Sequence, residues 1–144
     1  MKEIYSFQIN SDKPYSEDVT FISNLSEIPA KNVYQAAIEL KRRNLVQQRS
    51  KWMAVLPHPI ANRLAKYALE NMSSAIILSN FSEATDERLL KSFSRRLGYL
   101  PQCDEAKEIV SNWLSDNGLV HHLYAQGKNK LAWILINNIA PIST

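Results

Sequence analysis

Glycine is scarce in this 144-residue chain. Only three glycines are present, Gly98, Gly118 and Gly127, and the first 97 residues have none. Because glycine is the residue that adopts positive φ most readily, this distribution disfavours tight hairpins and glycine-rich phosphate-binding loops in the first two thirds of the chain. It favours helix, and we predict a mainly α protein (α+β) with a small β component.

Motifs for nucleotide hydrolysis or metal chemistry are also missing. The sequence has no Gly-x-x-x-x-Gly-Lys-Ser/Thr loop, no Gly-x-Gly-x-x-Gly, no His-Glu-x-x-His and no Gly-x-Ser-x-Gly. His121 and His122 are adjacent, so on a helix or a strand they point in different directions. Cys103 is the single cysteine, which excludes an intrachain disulfide and a cysteine zinc cluster. We therefore expect no enzyme activity, no catalytic residues, no metal site and no cofactor bound by this chain alone.

Long hydrophobic runs are absent as well. The longest aliphatic run covers only residues 75–78, which is far too short to cross a bilayer. The N-terminus has no basic segment leading into an apolar one. With 45% apolar and 22% charged residues the chain can bury an ordinary core. These features predict a soluble, cytoplasmic protein with no membrane partner.

The positive charge is concentrated in one stretch. Between residues 31 and 51 six basic residues stand against one acid, Glu39, so the stretch carries +5 and the rest of the chain −2. The six are Lys31, Lys41, Arg42, Arg43, Arg49 and Lys51. A basic surface attracts the phosphate of nucleic acids or nucleotides. Cations in the last turn of a helix also offset its carbonyl dipole, which is an equally good explanation of residues 41–43.

The same stretch is organised as helix, strand, turn, strand and helix. Apolar residues recur at helical spacing between Val33 and Leu40, which predicts an amphipathic helix over about residues 29–43. Residues 45–48 and 52–56 are rich in strand formers and flank the polar break at residues 49–51, so we predict a β-hairpin. Ser16 is a suitable N-cap for an earlier helix over residues 17–25. Two helices followed by a two-stranded ribbon predict a winged helix.

The rest of the chain predicts helices separated by short loops. We predict that residues 1–9 are helical, that Pro59 lies in the first turn of a long helix, that Thr85 caps a helix ending near Tyr99, and that Pro141 stops the last helix. Further helices are expected over 75–81, from 104 to a close at Asn117-Gly118, and over 128–139. We expect a winged-helix domain over residues 1–73 and a small, repeat-like helical extension over 74–144. Its uncovered Trp133 and Ile136 favour a homodimer through the C-terminal helices.

Three segments resemble a known family. LKRRNLVQQRSKWMAVLPHPIANRLAKYAL (residues 40–69), SFSRRLGYL (92–100) and LINNIAPI (135–142) are similar to the winged-helix module, and the helical segment after it, of bacterial STAND NTPases. These are NLR-like signal-transduction ATPases. The resemblance implies a non-catalytic regulatory module that makes intramolecular or protein–protein contacts.

The resemblance also implies one site residue. His58 matches the histidine of the family's Met-His-Asp motif, which contacts the β-phosphate of ADP. Here Pro57 precedes the histidine and Pro59 replaces the acid. ATP or ADP is therefore implied only where an NTPase domain is supplied in cis or in trans.

Two other functions are compatible with the residues. A DNA-binding winged-helix regulator would read base edges with the first half of its second helix and phosphates with the wing. The DNA-binding residues would then be Lys31, Asn32, Gln35, Arg49 and Lys51. The other alternative is a helical adaptor that binds proteins through the helices after residue 73.

Overall fold

The fold is known from a computed structural model that describes residues 7–55 and 58–143; the side chains of residues 58 and 143 are outside this description. The protein is mainly helical with a small three-stranded antiparallel sheet, as the glycine-poor composition predicts. The chain forms two compact units that divide between Ala61 and Asn62. The boundary expected from the sequence, between residues 73 and 74, lies at the start of a later helix.

The first unit contains the sheet. Its elements are β1 (Phe7–Gln8), α1 (Glu17–Ser26), α2 (Ala30–Arg42), β2 (Val46–Arg49) and β3 (Trp52–Val55). The strand order is β1-β3-β2, so β3 is the central strand. The prediction of helix at the N-terminus is wrong for residues 7 and 8, and residues 1–6 lie outside the described part of the chain. Phe7 pairs with Met53 instead, a long-range partner that local pattern does not reveal.

Two side chains at the start of α1 attach β1 to the helix. Ser16 caps α1 by accepting a hydrogen bond from the Val19 N–H at 3.1 Å, as its position predicts, and its hydroxyl donates to the carbonyl oxygen of Gln8. Asp18 accepts a hydrogen bond from the Gln8 N–H at 2.7 Å. Both side chains are buried, and both are satisfied by backbone groups.

The predicted hairpin is confirmed. Val46 pairs with Val55 and Arg49 with Trp52, which leaves Ser50 and Lys51 as a two-residue loop. Ser50 takes the positive φ, 54°, that glycine or asparagine usually supplies in such a loop. Met53 is fully buried in the core of this unit, with Ile9, Val19, Ala37 and Val46.

The second unit is helical. The chain continues through α3 (His58–Glu70), within which the two units divide, and then through α4 (Ser74–Asn80), α5 (Glu87–Gly98), α6 (Asp104–Trp113), α7 (Leu119–Ala125) and α8 (Asn129–Ser143). The sequence did not predict α7. The prediction that Thr85 caps α5 is wrong: Asp86 accepts from the Arg88 N–H at 2.8 Å, whereas the Thr85 hydroxyl bonds within the preceding turn.

The prediction that Pro141 ends the last helix is also wrong, because Pro141 lies inside α8. Continuation of the helix buries Ile142, which outweighs the one backbone hydrogen bond that proline removes. α8 packs closely on α5: a Cβ added at Gly98 would lie 2.1 Å from the Asn138 carbonyl oxygen. The core of this unit includes the fully buried Leu97, Leu135 and Ile139.

Candidate functional site

The predicted recognition residues lie on one exposed side of α2. Lys31 and Gln35 are one helical turn apart, Asn32 is next to Lys31, and all three side chains are exposed. Ala37 lies on the buried side of the same helix. The helix therefore presents a polar surface carrying one cation.

The two predicted wing residues lie at the end of the hairpin. Arg49 is the last residue of β2, Lys51 is in the loop, and both are exposed. The Nζ of Lys51 lies 5.6 Å from the centre of the Trp52 ring, a distance suited to a cation–π contact. The Lys51 side chain thus lies over the ring of Trp52, while the Arg49 side chain extends from the strand.

Three of the six clustered cations have a hydrogen-bond or ion-pair partner. Glu39 accepts from Arg42 at 2.6 Å and from Arg43 at 3.1 Å, and Lys41 donates to the Gln48 side chain at 2.7 Å. Glu39 is already counted in the +5 of this stretch, so the net charge is unchanged, but its one negative charge lies beside Arg42 and Arg43. The side chains of Lys31 and Arg49 make no hydrogen bond or ion pair with residues 7–55 or 58–143. Lys31 and Arg49, together with Lys51, whose charge no described acid pairs with, are the cations left to attract an external anion.

His58 begins α3, and two residues separate it from Val55, the last residue of β3. Its backbone therefore lies at a helix N-terminus, where N–H groups and the helix dipole favour anions. The side chain lies outside the described part of the structure. The role of the imidazole in sensing a nucleotide stays a prediction.

The second unit contains a cavity of about 160 Å³ that the sequence did not predict. Its lining includes Glu83, Trp113 and His122, and the His122 Nδ1 lies 3.7 Å from a Glu83 carboxylate oxygen. Lys128 donates to the Glu83 carbonyl oxygen at 3.0 Å. The Trp113 Nε1 is buried and makes no hydrogen bond to any described residue. No local motif links residues so far apart in sequence, which explains why sequence analysis missed them.

Metal binding is not supported at this cavity or elsewhere in the described residues. Among residues 7–55 and 58–143 no three His, Cys, Asp or Glu side chains come together in a possible metal site. Two side chains, Glu83 and His122, make too few ligands for a structural zinc ion.

Comparison of the chain with models of protein families, with characterised proteins and with solved structures gives no match. In the part of the chain that the structure describes, none of the helices is both long enough and apolar enough to cross a membrane.

Proposed function

We propose that this chain is a non-catalytic regulatory winged-helix module that senses the nucleotide state of an NTPase domain supplied in cis or in trans. The observation that carries the proposal is the short connection from β3 to α3. The central strand of the sheet ends at Val55 and the helix begins at His58. A histidine at the first position of a helix combines an imidazole donor with the anion-favouring helix N-terminus.

The mechanism is a switch. The His58 imidazole donates a hydrogen bond to a phosphate oxygen of bound nucleotide, which fastens the module to the NTPase domain in one nucleotide state. A charge-assisted hydrogen bond contributes about 1.5 to 3 kcal/mol, which changes the ratio of the two states roughly ten- to a hundredfold. Loss of the contact releases the module.

The test measures release of a fluorescent ADP analogue from the phosphate-loop NTPase domain encoded with this chain or by a neighbouring gene. Addition of the chain slows release, and His58→Ala restores fast release, about ten- to a hundredfold above the wild-type complex. His121→Ala is the matched control, since His121 is an exposed histidine in the second unit. Equal release rates with wild type and His58→Ala would contradict the proposal.

DNA binding is the second candidate function, and the unpaired cations favour it. Lys31 on α2 and Arg49 on the hairpin lack partners among the described residues, whereas Arg42 and Arg43 share Glu39. A helix that reads base edges and a ribbon that contacts phosphate are the two parts of winged-helix recognition. Gln35 and Asn32 supply amides suited to adenine edges.

Titration with duplex DNA at several salt concentrations tests this alternative. Lys31→Ala and Arg49→Ala each weaken binding and lower the slope of log K against log salt by about 1. Arg42→Ala removes the same charge from a residue already paired with Glu39, and it therefore has a smaller effect. Equal effects of all three variants, or no binding at low salt, would exclude specific phosphate contacts by Lys31 and Arg49.

A further inference from the structure

α3 carries an exposed apolar stripe. Ile60, Leu64 and Tyr67 are 39%, 45% and 68% exposed, and they follow one another at spacings of four and three residues. Those spacings are the spacings of a coiled-coil seam. Between residues 59 and 70 the buried side chains are Ala61 and Leu69, on another side of the helix.

Two opposite charges flank this stripe on the same side. Arg63 and Glu70 are seven residues apart, which is about two helical turns or roughly 10 Å, too far to pair with each other within one helix. Arg63 is exposed and makes no ion pair with any residue that the structure describes. Among the described residues, Glu70 pairs only with Lys66, at 3.7 Å, and both side chains are nearly half exposed, so this ion pair is weak.

We propose that α3 pairs with α3 of a second copy of this chain in antiparallel orientation. In a twofold antiparallel pair Leu64 of one copy faces Tyr67 of the other, and the converse contact follows by symmetry. Arg63 of each copy then faces Glu70 of the other copy, which gives two ion pairs. In a parallel pair Arg63 would flank Ala68 and the charges would find no complement. Charge complementarity therefore favours α3 of a second copy as the partner and favours the antiparallel orientation of the two helices.

The interface is small. A seam of about three helical turns buries roughly 1,000 Å² at most, which is at the low end for specific interfaces. We expect a reversible dimer that forms in the upper micromolar range. The inference is independent of His58 and of the cations on α2, so it goes beyond the proposed function.

Sedimentation equilibrium of the full chain, from micromolar concentrations to about 1 mM, tests the seam. Wild type shows a monomer–dimer equilibrium, and Leu64→Asp is monomeric throughout while its helical circular dichroism is retained. Trp133→Ala is the matched control, because Trp133 is a 60% exposed apolar residue on α8. A wild type that stays monomeric, or a dimer lost in Trp133→Ala and kept in Leu64→Asp, would overturn the proposal.

Charge reversal tests the orientation. Arg63→Glu and Glu70→Arg each place two like-charged pairs in the dimer, and each weakens it on the order of tenfold. A mixture of the two variants forms a heterodimer in which both pairs are again opposite in sign, so dimerisation returns to within about threefold of wild type. The doubly substituted chain also recovers. Failure of both the mixture and the double variant to recover would refute the antiparallel pairing.

Discussion

Gly98 shows how one residue sets the distance between two helices. A Cβ at this position would lie 2.1 Å from the Asn138 carbonyl oxygen, and α8 cannot move away without opening the core. Gly98→Ala should therefore lower the free energy of unfolding by about 3 kcal/mol. Gly127 is the control: it has a φ of +77° and open space around it, so Gly127→Ala should cost only about 1 kcal/mol. Urea unfolding of both variants checks the difference, and equal losses would contradict it.

Cys103 is 1% exposed at the start of α6, with its Sγ 3.5 Å from a Glu105 carboxylate oxygen. Burial raises the pKa of the Cys103 thiol, and the nearby carboxylate adds to this shift. We expect the thiol to react with a disulfide reagent at neutral pH only after unfolding.

The raised pKa also makes stability depend on pH. Below the pKa of an unfolded thiol, about 8.5, both states keep the proton and the contribution is constant. Above it the unfolded state loses its proton first, so the free energy of unfolding falls as pH rises towards the folded-state pKa. Urea unfolding between pH 7 and 10 should show a shallower fall for Cys103→Ala than for wild type. Identical pH dependence in the two proteins would contradict this assignment.

At the scale of elements, the two side-chain caps differ in burial. Ser16 is fully buried and bonds both to the Val19 N–H and to the Gln8 carbonyl oxygen, whereas Asp86 is exposed and bonds to the Arg88 N–H. Ser16→Ala should lower the free energy of unfolding by about 2 kcal/mol and Asp86→Ala by about 1 kcal/mol. Chemical denaturation measures both, and a larger loss for Asp86→Ala would show that Ser16 does not join β1 to α1.

Elements with strong local patterns were predictable from the sequence. α1, α2 and the hairpin lie within a few residues of their predicted bounds, because apolar periodicity and caps are encoded nearby. β1 was missed because its partner, β3, lies more than forty residues away. The continuation of α8 through Pro141 depends on the burial of Ile142. In both cases tertiary contacts outweigh local preference.

Only part of the candidate site was predictable from the sequence. The sequence identified the exposed cations, but it could not show that Glu39 pairs with both Arg42 and Arg43 while Lys31 and Arg49 stay unpaired among the described residues. It also could not bring Glu83 to His122, since their proximity depends on helix packing. The sequence therefore identified which residues could bind a ligand, but the contacts between them became visible only in the folded structure.

At the scale of the whole molecule, each unit has its own core. Met53 is fully buried in the first unit and Leu135 in the second. Truncation of either to alanine should cost about 2 to 5 kcal/mol. Hydrogen exchange followed by mass spectrometry should show that Met53→Ala reduces protection mainly in residues 7–55, and Leu135→Ala mainly in residues 87–143. Equal loss of protection in both segments would show a single cooperative core.

The strand order has a consequence for behaviour at high concentration. Within the described residues β2 lies at the edge of the sheet; it has only four residues, and Gln47 and Arg49 are exposed along it. A short edge strand with an exposed guanidinium is a poor template for strand addition by other molecules. Millimolar solutions should therefore stay clear, without the turbidity of fibre growth.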